Sequence, residues 1–359
     1  MPPRHDDPAL EALLFPFLTG RLPWPQSGAL FLRARAGRGL VPSAWPGLAC
    51  EQSFKPEAEA LEQAGFSVNA QDGSRHRLVL VLPPRQREES RALLAEAVAR
   101  VEGEDGVVIA SVPNLEGAKA IEADLARVAG PVSTLSKHKC RVFWARPNAG
   151  GADAALAAQW RSLDAPRPIL EGTRLEGRFK SRPGVFAWDR VDPASELLAE
   201  HLPESLAGRA ADLGAGWGFL SDALLRRCPG ITSLHLYEAE ARALELARGN
   251  MAPHAQKVAL DFRWHDVTAG LPDTYDVIIS NPPFHGQGRA SRPEIGRAFI
   301  AAAAGALAPG GSLWLVANRQ LPYEQVLGER LGGIEVVAER GGFKVIRADK
   351  AGAAPKGRR

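Results

Sequence analysis

The stretch DLGAGWG, residues 212–218, decides the fold of this chain. It follows a short apolar strand predicted at residues 209–213 and precedes a helix predicted at 217–227. Its glycines allow a sharp turn and let a ligand approach the backbone N–H groups with no Cβ in the way. Such a turn lies at a helix N-terminus, where open α/β sheets bind their ligands. The stretch therefore predicts a parallel α/β sheet with a ligand site at this turn.

Outward from the turn, strands and helices alternate to residue 348. Strands are predicted at residues 209–213, 232–237, 260–264, 275–280, 312–317, 334–338 and 343–348, and helices at 193–206, 217–227, 239–250, 293–307 and 323–331. This alternation predicts a parallel sheet that is wound on both faces. Only Glu339-Arg340-Gly341-Gly342 separates the last two strands, which is too short for a crossover helix. The sheet is therefore predicted to have seven strands and to end in an antiparallel hairpin.

The N-terminal half repeats part of this pattern in the same order. Residues 78–82 (LVLVL) with two following prolines parallel 277–281 (VIISN) with Pro282 and Pro283. Residues 107–114 parallel 313–318, and 141–145 parallel 344–348. Repetition at similar spacing predicts two related α/β domains. The first would be a smaller, degenerate copy that binds or positions substrate, since Leu82 stands where the second has Asn281 and no glycine turn is found.

The predicted organisation has four parts. Residues 1–146 form the degenerate domain, 147–168 a linker rich in Ala, Gly and Pro, 169–349 the catalytic domain, and 350–359 a basic disordered tail. A length of 359 residues agrees with two domains.

Composition excludes several other classes of protein. With 45% hydrophobic and 24% charged residues the chain is typical of a globular protein, and its net charge of +3 is compatible with a polyanionic partner without indicating one. The three scattered cysteines indicate neither a disulfide framework nor a metal cluster. We find no signal-peptide pattern, and the longest apolar run, residues 298–307, is too short to cross a bilayer. We therefore expect a cytoplasmic protein without a metal or a membrane partner.

Acidic residues at the ends of the next two strands fit a nucleoside cofactor. Glu238 lies 26 positions after Asp212, where a carboxylate can accept from both ribose hydroxyls, and Asp266 can accept from an adenine amino group. The spacing Gly-x-Gly-x-Gly, with Asp two positions earlier, resembles the turn that binds S-adenosylmethionine, and Asp212 would lie near the amino-acid end of that cofactor. The predicted cofactor residues are Asp212, Gly214, Gly216, Gly218, Glu238, Asp266 and Asn281.

The motif Asn281-Pro282-Pro283-Phe284 follows the fourth strand and predicts the chemistry. Oxygens of the Asn281 side chain and the Pro282 carbonyl can accept both hydrogens of a planar amine and turn its lone pair toward a methyl donor. The prolines fix the backbone, so the carbonyls are aimed without a later loss of entropy. Phe284 offers a face for a splayed base. The motif therefore predicts methyl transfer to a planar amine, with these four residues as the catalytic set.

Longer stretches resemble the bacterial ribosomal RNA guanine-N2 methyltransferases, a family with a duplicated methyltransferase-like architecture. The resemblance covers residues 175–349 and rests on 280–286 (SNPPFHG), Gly310-Gly311, 316–318 (VAN), 321–323 (LPY), 343–345 (FKV) and the lead-in 182–186 (RPGVF). It implies a class I, Rossmann-like methyltransferase fold and S-adenosylmethionine as cofactor.

The same resemblance implies roles for individual residues. Asn281 and Pro282 would bind the guanine N2 amine, and Gly184, Val185 and Phe186 would close over the cofactor pocket. This sequence departs from the family at Trp188 and at Trp217, and we expect Trp217 to point outward from the helix start.

The implied partner is ribosomal RNA or a ribosomal subunit, with 16S favoured over 23S, bound by a monomer. Basic residues expected to contact RNA phosphates form two clusters: Arg174, Arg178, Lys180 and Arg182, and Lys137, Lys139 and Arg141 together with His138.

Two other enzyme activities use the same motif, namely methylation of a protein glutamine and of adenine N6. A catalytically inactive RNA-binding or assembly protein is the alternative from another class. The duplicated domain and the Phe-His continuation of the motif favour guanine N2.

Overall fold

The computed structural model describes residues 7–69, 73–283 and 293–352. The chain divides after Pro166 into a first unit, which also takes in Arg182–Gly184, and a second unit that contains the rest.

The first unit is a seven-stranded sheet with helices on both faces. Its helices are α1 (Pro8–Leu18), α2 (Lys55–Gln63), α3 (Arg87–Ala99), α4 (Ala118–Ala129) and α5 (Ala154–Arg161). Its strands are β1 (Ala29–Leu32), β2 (Leu48–Glu51), β3 (Ser67–Val68), β4 (Leu78–Val81), β5 (Val107–Pro113), β6 (Val132–Lys137) and β7 (Cys140–Ala145). Of these elements, the repeated sequence segments predicted β4, β5 and β7, and a short helix was expected between residues 146 and 168.

Residues 147–168, predicted as a linker, contain the helix α5. Ala157 and Trp160 of α5 are buried in the core of the first unit, beside Leu94 of α3. The guanidinium of Arg91 lies over the Trp160 ring at 4.8 Å. Most of this segment is therefore part of the first unit, and the chain leaves that unit only after Pro166.

The second unit begins with a small sheet of β8 (Arg167–Pro168) and β9 (Lys180–Ser181). Its main sheet contains β10 (Ala207–Leu213), β11 (Gly230–Glu238), β12 (Ala259–Trp264), β13 (Tyr275–Ser280), β14 (Leu307–Asn318), β15 (Gly332–Arg340) and β16 (Phe343–Asp349). Its helices are α6 (Pro193–His201), α7 (Phe219–Arg227), α8 (Ala241–Asn250), α9 (Pro293–Ala306) and α10 (Tyr323–Gly328).

The two large sheets have the same topology. Their strand orders are β3-β2-β1-β4-β5-β7-β6 and β12-β11-β10-β13-β14-β16-β15. In each sheet the first five strands in the chain pair with one another in parallel. The last strand in the chain pairs antiparallel with both of its neighbours, one of which is its partner in the final hairpin. These topologies confirm the predicted doubly wound sheet, its final hairpin and the related first domain. The three repeated sequence segments lie in equivalent strands of the two sheets: β4 and β13, β5 and β14, and β7 and β16.

Both sheets are buried on both faces, which explains why their central strands read as continuous apolar runs. In β13, Val277 and Ile279 pack into one core cluster while Ile278 packs into the other. In β4 the same alternation sends Leu80 to one face and Val79 to the other. Side chains alternate across a strand, so each sheet supports two apolar layers.

Several helix ends were predicted wrongly, for local backbone reasons. The helix predicted at 193–206 ends at His201, because Pro203 forces Leu202 into an extended conformation (φ −65°, ψ 125°). The helix predicted at 217–227 begins at Phe219, since Gly218 has φ 94° and cannot belong to a right-handed helix.

Gly296 of α9 gives a test of packing between α9 and α10. A Cβ built at this position would overlap the hydroxyl of Tyr323, which is buried. We expect Gly296→Ala to lower the free energy of unfolding by about 1–3 kcal/mol, because the two helices must separate. Urea unfolding followed by circular dichroism measures the change.

Gly305, in the same helix, is the matched control. A Cβ there meets open space, so Gly305→Ala should be neutral or stabilising by up to about 1 kcal/mol. Equal destabilisation by both substitutions would contradict the packing argument.

Candidate active site

The glycine turn after β10 has the conformation that its sequence requires. Gly214, Gly216 and Gly218 have φ values of 77°, 56° and 94°, a region that side chains with a Cβ disfavour. The N–H groups of Gly214 and Ala215 donate to the Tyr237 carbonyl at 2.9 and 3.0 Å, which holds the turn against the end of β11. These two hydrogen bonds hold the start of the turn beside β11, and a Cβ built at Gly216 would meet open space.

Asp212 is completely buried at the end of β10. The hydroxyl of Ser221 donates to Oδ2 at 2.7 Å, whereas Oδ1 finds no partner among the described residues. Burial raises the pKa of Asp212 to about 7, although the hydrogen bonds from Ser221 act in the opposite direction. A buried carboxylate oxygen without a partner fits the ammonium group of a bound ligand.

Glu238 connects the glycine turn to the end of β11. Its Oε2 accepts from the N–H of Gly216 and its Oε1 from the N–H of Glu240, both at 2.8 Å. Burial raises the pKa of Glu238, and these backbone hydrogen bonds oppose the rise. Each carboxylate oxygen has a second lone pair, so Glu238 can still accept from vicinal hydroxyls.

Asp266 has a local structural role. Its Oδ1 accepts from the N–H and the hydroxyl of Thr268, at 2.9 and 2.7 Å, and so caps the 3-10 turn Val267–Ala269. Like Asp212 and Glu238, it is not among the residues that line the cleft beside the glycine turn.

Asn281 lies beside the glycine turn because β10 and β13 are neighbours. The hydroxyl of Ser280 donates to the Leu213 carbonyl at 2.7 Å, joining the carboxyl ends of the two strands. The amide nitrogen of Asn281 donates to Asp192 Oδ2 and to Ser195 Oγ, both at 2.8 Å. Both hydrogens of the amide group are thus engaged, and its remaining hydrogen-bonding group is the oxygen.

One cleft brings the glycine turn and Asn281 together. It is open to solvent, and its lining residues are Phe186, Ala187, Asp192, Ser195, Gly214, Ala215, Gly216, Trp217, Phe219, Leu220 and Asn281. Phe186 is one of these lining residues and is 69% exposed.

Trp217 does not point outward, contrary to our expectation. It is buried, with its ring centroid 5.0 Å from that of Phe179, and its indole N–H donates to the Ala187 carbonyl at 3.3 Å. Trp217 therefore supports the loop beside the cleft, where Ala187 has an uncommon φ of 48°.

The motif is described only as far as Pro283. Pro282 is buried and Pro283 is exposed, whereas Phe284 lies outside the described residues. Asp192 and Ser195 were not predicted. The pair Asp192-Pro193 is a typical helix start, and Asp192 does cap α6, but a capping pattern gives no sign of a contact with Asn281.

The first unit has an equivalent pair of strands at this place, but the residues that follow those strands are different. Leu32 pairs with Val81 there as Leu213 pairs with Ser280 here, so Arg33 corresponds to Gly214 and Leu82 to Asn281. Arg33 has φ 53° and forms an ion pair with Glu89. An arginine and a buried leucine stand at the positions that Gly214 and Asn281 occupy in the second unit.

The predicted RNA-binding residues differ in exposure. Arg182 is buried and bonded to Asp164 at 3.4 Å, so its expected surface position was wrong. Arg178 pairs with the buried Asp222, and Arg141 pairs with Glu122.

The other predicted cations are more accessible. Arg174, Lys180 and Lys139 are exposed, as is the neighbouring His138. Lys137 is partly buried, with its ammonium 4.8 Å from the centre of the Phe15 ring.

The described part of the chain contains neither a cluster of metal-ligating side chains nor a helix suited to a membrane. Within residues 7–69, 73–283 and 293–352, no three His, Cys, Asp or Glu side chains come together in a way that could hold a metal ion. None of the helices in those ranges has the length and apolar content that crossing a bilayer requires.

The fold is that of the class I methyltransferases. A sequence profile of the family described as methyltransferase small domain matches residues 176–347. A solved structure, the T. thermophilus 16S rRNA N2 methyltransferase in complex with AdoMet and guanosine, has the same fold: its TM-score is 0.77 at 23% identity, covering 97% of this chain and 93% of that chain.

Two curated relatives identify the family. Ribosomal RNA small subunit methyltransferase C of Klebsiella pneumoniae is 34% identical over 265 residues, 74% of this chain and 73% of that protein. The protein of the same name from Escherichia coli O7:K1 is 36% identical over 198 residues, 53% of this chain, and the match spans only 57% of the relative's length. The chain belongs to the family of the ribosomal RNA small subunit methyltransferase C proteins.

Burial of Asp212 predicts a pH dependence of stability. The pKa rises from 3.8 to about 7 on folding, so between these values the folded state holds a proton that the unfolded state has released. Proton binding by Asp212 therefore contributes to the free energy of unfolding. The contribution is fully present below pH 3.8 and is lost as the pH rises to 7, at up to about 1.4 kcal/mol per pH unit.

The substitution Asp212→Asn isolates this effect, because Asn keeps an acceptor for Ser221 and does not titrate. Urea unfolding of both proteins between pH 5 and pH 7.5 gives the difference in free energy of unfolding. We expect the wild type to lose stability relative to Asp212→Asn as the pH rises, with a plateau above about pH 7. A constant difference would contradict the raised pKa.

Proposed function

We propose that this protein transfers a methyl group from S-adenosylmethionine to the exocyclic N2 amine of a guanine in ribosomal RNA, with 16S favoured over 23S. The observation that carries the proposal is the fixed Asn281 amide, held by Asp192 and Ser195 in the same cleft as the glycine turn. Membership of the family supports the RNA substrate.

The residues around the glycine turn fit S-adenosylmethionine. Asp212 Oδ1, which is buried without a partner among the described residues, would accept from the amino-acid end of the cofactor. Glu238 would accept from the ribose hydroxyls, and the open glycine turn leaves room for the chain of the ligand. Asp266 would contact the adenine through the oxygen that does not cap the 3-10 turn. When bound, the cofactor supplies an electrophilic methyl group on a sulfonium.

Orientation is the main contribution of the protein to the reaction. The lone pair of a nucleobase amine is delocalised into the ring, so the amine is a weak nucleophile. Asn281 Oδ1 and the Pro282 carbonyl would accept its two hydrogens and direct the lone pair toward the methyl group. Because Asn281 is already fixed, this positioning costs little ordering in the transition state, and good orientation can lower a barrier by about 7–11 kcal/mol. The methylated amine is acidic and releases its proton to solvent.

Nucleoside mass spectrometry of ribosomal RNA tests the proposal. Cells that lack the protein should lose one N2-methylguanosine from 16S RNA, and the wild-type gene should restore it. Asn281→Ala should fail to restore it while the purified variant still binds S-adenosylmethionine, since Asn281 acts on the amine. Unchanged rRNA nucleosides would contradict the proposal and favour methylation of a protein glutamine or of adenine N6, since both present the same planar amine.

We propose further that the protein acts as a monomer in the cytoplasm.

We also propose that the first unit contributes RNA contacts. The tip of the β6–β7 hairpin is His138–Lys139, with φ values of 51° and 58°, whereas the tip of the β15–β16 hairpin is Gly341–Gly342, with 60° and 85°. Left-handed backbone costs about 1–2 kcal/mol per residue with a Cβ. A cationic tip in a turn that favours glycine is consistent with a contact to RNA phosphates.

The glycine tip of the second unit suggests the test. The double variant His138→Gly, Lys139→Gly should keep the turn and the thermal stability but bind 16S RNA about 3–10-fold more weakly at 0.1–0.15 M salt, with a smaller salt dependence, since one phosphate contact is lost. The variant Lys139→Arg, which keeps the positive charge at the tip, should bind like the wild type. An unchanged salt dependence of the glycine variant would place the contact elsewhere.

A further inference from the structure

Asp192 is the N-cap of α6 and also a neighbour of Asn281. Its Oδ2 accepts from the N–H of Ser195 at 2.9 Å, as in an ordinary helix cap, and from the Asn281 amide nitrogen at 2.8 Å. The same oxygen therefore fixes both the start of α6 and Asn281, the motif residue that follows β13.

The carboxylate determines which way the Asn281 amide faces. A carboxylate has no hydrogen to donate, so the amide nitrogen of Asn281, and not its oxygen, faces Asp192. Ser195 Oγ accepts the second hydrogen of the same nitrogen at 2.8 Å. The amide oxygen is consequently left as an acceptor for the cleft.

Asp192 and Asn281 both line the cleft, and both present acceptors to it. The Watson–Crick edge of guanine carries donors at N1 and at the N2 amine, next to each other. Adenine has an acceptor at N1 beside its amine, and the glutamine side chain has a carbonyl oxygen beside its amide nitrogen. Two neighbouring acceptors therefore match guanine and oppose both alternatives.

We propose that Asp192 is the residue that selects guanine: it positions the Asn281 amide through Oδ2 and presents its carboxylate to the N1–H of the base whose N2 amine Asn281 holds. This inference rests on the proposed function, because it assumes that the planar amine enters the cleft at Asn281. Asp192 acts on Asn281 as a positioning residue and on the base as a specificity-determining residue.

Two nucleosides and one substitution test the proposal. Guanosine has the N1–H and the amine, whereas 2-aminopurine riboside keeps the amine at the same ring position and has an acceptor at N1. Their binding to the full-length protein is measured calorimetrically in the presence of S-adenosylhomocysteine. We expect the wild type to prefer guanosine at least 10-fold, and Asp192→Asn to reduce the ratio of the two affinities about 10-fold or more, because an amide can donate to N1 of 2-aminopurine.

The substitution is chosen to preserve the structure. Asn is as good an N-cap as Asp and can still accept from the Asn281 amide nitrogen. The thermal stability and the affinity for S-adenosylhomocysteine should therefore stay close to wild type. Asp153→Asn is the matched control, since Asp153 caps α5 through the N–H of Leu156 at 2.9 Å and is exposed; its base preference should equal that of the wild type.

Ser195→Ala gives a second variant that does not depend on Asp192. It removes one of the two acceptors for the Asn281 amide while the carboxylate remains, so methyl transfer to ribosomal RNA should slow about 3–10-fold with the base preference retained. A loss of base preference equal to that of Asp192→Asn would contradict the assignment.

The outcomes separate this inference from the proposed function. Guanosine binding with a base preference that Asp192→Asn leaves unchanged would overturn the role of Asp192 and leave the methyltransferase proposal standing. Failure of wild-type protein to bind guanosine, together with unchanged rRNA nucleosides in the deletion strain, would overturn both.

Discussion

The parallel pairing of β10 with β13 is the constraint on which the site depends. Leu213 pairs with Ser280, and the Ser280 hydroxyl donates to the Leu213 carbonyl at 2.7 Å, so the glycine turn and the Asn-Pro-Pro motif leave the sheet side by side. The strand order changes direction at this pair, which opens a crevice at the carboxyl ends of the strands. A Cβ at Gly214 would come within 3.9 Å of the Asn281 carbonyl, so the two loops are in near contact.

The features that the sequence predicts well are those set by local chemistry. The strand predicted at residues 275–280 is β13, Tyr275–Ser280, because a run of apolar residues ends there at two prolines. The glycines at 214, 216 and 218 predicted a sharp turn, and all three have the positive φ values that such a turn can require. The final hairpin follows from a separation too short for a crossover helix. In each case a few adjacent residues determine the structure.

The features that were missed depend on contacts between residues far apart in the chain. Asp192 and Asn281 are 89 positions apart, and nothing in either local pattern indicates that they meet. Trp217 was expected to point outward from a helix start, but Phe179 and the Ala187 carbonyl form a site for it. Arg182 looked like one more cation in a basic run and is buried against Asp164. Tertiary packing decided the position of each of these side chains.

The first unit separates what maintains the fold from what the reaction requires. It has the same strand order, and the residue after its β1 strand has the left-handed backbone conformation that Gly214 has after β10. That residue is Arg33, however, and Leu82 stands in the position of Asn281. The strain at Arg33, about 1–2 kcal/mol, is offset in part by its ion pair with Glu89. Since this sheet folds without glycine in the turn, Gly214 is not required for the topology. We therefore attribute the glycine turn and Asn281 of the second unit to the cofactor and the amine that we propose they bind. These residues, more than the shared fold, support a catalytic role for the second unit.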